Sequence, residues 1–144
     1  MSVREVLSYM CKAVDMVHRT MRYAQCAVSG VRVGAVVVAC NKEGKIKLFS
    51  GCNIELSYAT GFHAERVALL KALSEGYMNI ISVVVTSNNE AYNAALCGYC
   101  RQDFMYVNPH CQILVLNPDK TVKINTTVIE TLEYPYLSSS KISL

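Results

Sequence analysis

Val33-Gly34-Ala35-Val36-Val37-Val38-Ala39-Cys40 is a run of eight residues without a charged side chain and rich in β-branched valine. Its length suits a strand better than a helix. The absence of polar alternation predicts a strand covered on both faces. Asn41-Lys42-Glu43-Gly44 ends the run as a hairpin connection, and a second strand follows over 45–53, so the two strands are expected to be antiparallel neighbours. Upstream, Val3, Val6, Leu7, Met10, Val14, Val17 and Met21 recur at three- and four-residue steps. They predict a helix over 2–25, with Ser2 and Glu5 spaced as a capping box. Ser29-Gly30 marks a turn between helix and strand.

Downstream, residues 57–61 are loop-like and 62–73 read as a helix ended by Ser74-Glu75-Gly76, with glycine at the cap position. Residues 80–86 form a third apolar strand, and 87–93 a polar loop. A third helix begins near Cys97 and stops at Asn108-Pro109. A fourth strand over 112–116, a short fifth over 121–125, a last helix over 127–134 and a frayed tail around 138–141 complete the chain. Strands alternating with helices imply an α/β protein with a three-layer α/β/α arrangement, and the first hairpin makes its five-stranded sheet mixed. With no linker and no repeat, residues 1–144 read as one domain.

Composition narrows the function. Hydrophobic residues make up 52% and charged residues 17%, which excludes a disordered chain. The net charge of +3 is small and its basic residues are scattered, which argues against a nucleic-acid partner. No apolar run approaches the roughly 20 residues of a membrane span. Met1-Ser2-Val3-Arg4-Glu5 does not read as a secretory signal, and seven cysteines is an odd number. Both point to a reducing, cytoplasmic setting with thiols that are buried or metal-bound.

Two short stretches carry the chemistry. His63-Ala64-Glu65 and Cys97-Gly98-Tyr99-Cys100 each fall at a predicted helix start, where free amides and the helix dipole favour thiolate over thiol. One imidazole and two thiolates suit a Zn²⁺ ion that keeps a position open for water. Their charges sum to zero with the metal, so bound water is acidified more strongly than beside three thiolates. Glu65, two residues after His63, can reach that water without being a ligand. A lone C-x-x-C has a structural-zinc or redox reading, and a lone histidine a capping one; the two pieces together favour a catalytic zinc site. His18 and His110 have no partners at ligand spacing.

H-x-E followed by C-x-x-C is the known signature of zinc-dependent nucleobase deaminases. From the first helix to about Leu116 the chain resembles the cytidine deaminase family. The matching stretches are Val33-Gly34-Ala35, Gly51-Cys52-Asn53-Ile54-Glu55, His63-Ala64-Glu65-Arg66, Lys71-Ala72-Leu73-Ser74-Glu75-Gly76 and Cys97-Gly98-Tyr99-Cys100-Arg101-Gln102. The resemblance implies hydrolytic deamination of cytidine and deoxycytidine in pyrimidine salvage. In it a zinc-bound hydroxide is the nucleophile and Glu65 the proton shuttle. It also implies that Asn53 and Glu55 bind the ribose, that the Ala64 backbone meets the base carbonyl, and that the chain forms a homotetramer, with a dimer as the alternative.

Several positions depart from the family's pattern. Short-chain members usually have cysteine where His63 stands, and Arg66 resembles the arginine that offsets their third thiolate, a task His63 largely removes. Val31 and Arg32 replace a phenylalanine and a proline, which leaves Phe62, Tyr134 or Tyr136 to supply an aromatic. Leu96 replaces a proline. Two other substrates are open within deaminases, a polynucleotide base and a modified, antibiotic-like nucleoside. A non-catalytic zinc-stabilised partner subunit is the reading from another class, and retention of Glu65 opposes it.

Overall fold

Residues 2–57, 61–90 and 95–136 are described by the computed structural model. The run that opened the sequence reading is strand β1, Val33–Cys40, buried from Gly34 to Cys40. It lies inside a five-stranded sheet with β2 (Ile46–Cys52), β5 (Asn79–Ser87), β6 (Gln112–Leu116) and β7 (Val122–Thr127), in the order β2-β1-β5-β6-β7. β1 is antiparallel to both of its neighbours, β5 and β6 are parallel, and β7 is antiparallel to β6. The sheet is therefore mixed, as expected.

Each face of the sheet has its own cover. Helix α1, Val3–Thr20, buries Ala13 and Val17 against Val36, Val38 and Val84. Helices α2 (Ala64–Ser74), α3 (Gly98–Val107) and α4 (Val128–Thr131) meet the other face, where Ala68, Leu69, Phe104 and Val128 pack on Ala35, Val37, Val83 and Ile113. Alternation of side chains along a strand sends 36 and 38 one way, 35 and 37 the other. The layers are α1, the sheet, then α2 with α3 and α4.

The differences from expectation are at element ends. α1 stops at Thr20 and tightens into a 3₁₀ turn, Met21–Tyr23, rather than running to 25. Phe62 is not helical: Gly61–Phe62 is β4, paired with β3, Ile54–Glu55, in a separate two-stranded ribbon. Two-residue strands are too short to show a period. β7 extends to Thr127 because Thr127 pairs with Gln112. The last helix is only four residues, opened by a reciprocal capping box between Thr127 and Glu130 and closed where Leu132 turns extended. The expected frayed tail at 138–141 lies outside the described residues, as do parts of the loops at 57–61 and 87–93. No helix among the described residues is long and apolar enough to cross a membrane.

Close backbone approach fixes how the helices sit. A Cβ on Gly51 in β2 would lie 2.3 Å from the Ala64 carbonyl oxygen and 2.6 Å from the Ala68 nitrogen. A Cβ on Gly34 would lie 2.4 Å from the Val17 carbonyl. In both cases the obstacle is backbone, which cannot swing aside. Gly51→Ala is expected to destabilise the protein by about 1–3 kcal/mol, the usual cost of overpacking. The measurement is a lowered urea midpoint at unchanged slope, and an unmoved midpoint would contradict the contact between β2 and α2.

Candidate active site

His63 and Cys97 occupy equivalent places, each the extended N-cap residue before a helix, α2 and α3 respectively. The Cys97 sulfur also accepts the Cys100 backbone N–H at 3.4 Å, so the thiol caps the helix that carries its partner. The fold brings His63 Nδ1 to 3.1 Å from Cys97 Sγ and 3.5 Å from Cys100 Sγ. All three ligand atoms lie within 4.8 Å of one another. Tetrahedral coordination with ordinary zinc bond lengths separates a nitrogen and a sulfur ligand by about 3.6 Å. The residues fit a zinc ion bound through Nδ1.

The electrostatics point the same way. Cys100 is fully buried, and burial, followed by the charges of Glu65 and Cys97, pushes its thiol far above the ordinary value. A thiolate there needs a cation, which a divalent metal between the three ligands supplies. Glu65 is 6% exposed on the first turn of α2. Burial pushes its carboxyl above the ordinary carboxylate value, against weaker opposing pulls from a backbone hydrogen bond and His63. A carboxyl that holds its proton more firmly than an exposed one is suited to general acid–base work.

These groups open onto a cavity of about 520 Å³, in the range of small-molecule sites. Its walls hold His63, Ala64, Glu65 and Cys97 beside Asn53 and Glu55, so each metal, catalytic or substrate-binding candidate of the sequence except Cys100 lines it. Asn53 is clamped: its Oδ1 accepts from Val33 N and its Nδ2 donates to Val31 O, both at 2.8 Å. Glu55 gathers the 28–29 turn, accepting from Val28 N at 2.8 Å, Ser29 N at 3.0 Å and the Ser29 hydroxyl. Those bonds, the Ser29 hydroxyl first, hold its carboxyl below the usual range. Ala64 is the first residue of α2, where amides are free of intrahelical partners.

Sequence reasoning gave no role in the site to the lining residues Ser29, Leu96 and Arg101. Ser29 read only as a turn. Leu96, buried beside Cys97, has φ of 56°, the left-handed region that side chains disfavour and proline cannot enter. Arg101 Nε donates to the Leu96 carbonyl at 3.0 Å and holds that peptide in place. No local pattern in the sequence marks such a tie. Of the three candidate aromatics, Phe62 lines the cavity, whereas Tyr134 is 90% exposed and Tyr136 borders a groove between α2 and α3.

A family model for the cytidine and deoxycytidylate deaminase zinc-binding region matches residues 8–111. The chain belongs to that family. It is 33% identical over 118 residues to a probable cytidine deaminase of Dictyostelium discoideum, across 81% of this chain and 76% of that protein. The crystal structure of cytidine deaminase from Burkholderia pseudomallei superposes with a TM-score of 0.74 at 26% identity, covering 94% of this chain and all of that one. The enzyme from Mycobacterium leprae, at 19% identity and a TM-score of 0.67 over 87% of this chain and 98% of that one, shares the fold. The mixed sheet and the zinc site thus both agree with family membership.

Zinc binding is checked by metal analysis and melting. One zinc per chain is expected, with a melting temperature that rises on zinc addition and falls on chelation. Cys100→Ser is expected to lower metal content below half an equivalent, and full retention would exclude this site.

Proposed function

We propose that the chain hydrolytically deaminates cytidine and deoxycytidine, consuming water and giving uridine or deoxyuridine and ammonia. The observation that carries this reading is Glu65, a buried carboxyl two residues from a metal-ligand candidate and facing the same cavity. A zinc ion held by His63, Cys97 and Cys100 would act as a Lewis acid that acidifies the water adding at C4 of the ring. Glu65 takes one proton from the attacking water and delivers it to N3, then moves the proton of the new C4 hydroxyl to the departing amine as the C4–N bond breaks and the C4 carbonyl forms. The free amide at Ala64 is offered to the base carbonyl.

Asn53 and Glu55 are proposed to meet the sugar. Their protein contacts leave capacity for this. A carboxylate offers about four acceptor sites, of which Glu55 has used three, and an amide Nδ2 carries two protons, of which Asn53 has used one. The contacts with Val28, Ser29, Val31 and Val33 pre-orient both groups. Family membership supports the remainder of the reading, a homotetramer of single domains spanning 1–144 that acts in the cytoplasm in pyrimidine salvage.

The test follows ultraviolet absorbance as zinc-loaded protein meets cytidine and deoxycytidine. Glu65→Ala is expected to lower kcat by about 10²- to 10⁴-fold with zinc content retained. Chelation should abolish turnover and zinc should restore it. A folded, zinc-loaded native chain that leaves both nucleosides untouched would overturn the reading and send the search to polynucleotide or modified-nucleoside substrates. Glu55→Gln is expected to raise KM for cytidine by about tenfold, through loss of one charge-assisted hydrogen bond. An unchanged KM would remove Glu55 from the sugar site.

A further inference from the structure

Two non-glycine residues among the described ones have a positive φ, and their settings differ. Lys120, at 70°, lies in an exposed turn between β6 and β7. Leu96, at 56°, is 3% exposed, is part of the core that α2 and α3 cover, and immediately precedes Cys97. A side chain in this conformation crowds the carbonyl oxygen that follows it, so it persists only where the surroundings hold it. Arg101 meets both carbonyls of this step. Its backbone N–H donates to the Cys97 carbonyl at 2.9 Å and its Nε to the Leu96 carbonyl at 3.0 Å. Nη1 donates to the carbonyl of Thr131, the last residue of α4, so the guanidinium is itself braced from a second helix.

The backbone angles of Leu96 set the direction in which the chain enters Cys97. The Cys97 sulfur lies 3.1 Å from His63 Nδ1 and caps α3, so a changed entry would move a ligand atom. Leu96 and Arg101 both line the cavity as well. We propose that Arg101 is a positioning residue of the active site, locking Leu96 in the left-handed conformation so that Cys97 meets the metal together with His63 and Cys100. The inference rests on metal binding at those three residues. The proline usual at position 96 in the family cannot take this φ, so chains that carry it cannot use this lock.

The test loads the full-length protein with Co²⁺, whose absorption bands report thiolate ligation, and follows its release to excess chelator. Arg101→Gln is expected to release cobalt about tenfold faster than the native chain, the scale on which residues supporting metal ligands act. Glycine takes a positive φ without this crowding. In a Leu96→Gly background the same Arg101→Gln change should therefore speed release by less than about threefold, whereas a residue that only stabilised the fold would give equal factors in both backgrounds. Arg101→Lys, which keeps a donor for the Leu96 carbonyl, should fall between Arg101→Gln and native. Unchanged release in Arg101→Gln overturns the proposal, as do equal factors in the two backgrounds. If Arg101→Gln does not fold, Arg101→Lys carries the same comparison, and equal factors there overturn the proposal too. A native chain that takes up neither cobalt nor zinc overturns the metal reading itself, an outcome distinct from a native chain that holds metal and an Arg101 variant that holds it equally well.

Discussion

β1 has a helix layer against each of its faces and a hydrogen-bonded strand along each of its edges. Its backbone is paired with β2 along one edge and β5 along the other, and its valines pack into the apolar cores on both faces. Burial of a valine is worth about 1.5–3 kcal/mol, so shifting this strand by one residue would exchange the two faces and forfeit much of both cores. The rest of the protein takes its position from that constraint. α1 rests on Gly34, α2 rests on Gly51 across β2, and β5 carries the chain onward to α3. The cavity is roofed by helix starts and floored by Val33 and Val85, the ends of two strands that cannot slide.

Polar chemistry is placed at the border of this apolar interior. The interior raises the cost of charge on Cys100, Glu65 and Asp103 alike, and each has a different compensation. Cys100 requires the metal, Asp103 has Arg66, and Glu65 is left able to carry a proton. His63 in place of a third thiolate lowers the total negative charge that must be balanced. The helix starts at Ala64 and Gly98 add their partial positive ends.

The sheet and the metal trio were legible in the sequence for a common reason: both are strong local patterns. The β1 run, the periodic apolar stripe of α1, and H-x-E with C-x-x-C each declare themselves within a few residues. Asn53 and Glu55, which line the cavity, were singled out only through the family resemblance. What stayed hidden is relational. The β3–β4 ribbon depends on Ile54 meeting Phe62 across a loop. The Leu96 carbonyl is tied to Arg101, and Arg66 pairs with Asp103, a residue with no significance in isolation. Helix ends differed by a few residues because caps and tertiary pairing, as at Thr127, decide them.

The separation of the metal ligands along the chain ties the metal centre to the central sheet. His63 and the two cysteines lie 34 and 37 residues apart along the chain, on opposite sides of β5. Closing that span is unfavourable until β5 has found its place beside β1, since distant contacts repay their entropy only once the intervening chain is fixed. A chain emerging from the ribosome thus displays His63 long before it can assemble the trio. Zinc binding through all three ligands is thereby coupled to placement of the strand between them, so the metal adds its binding free energy to the assembled sheet.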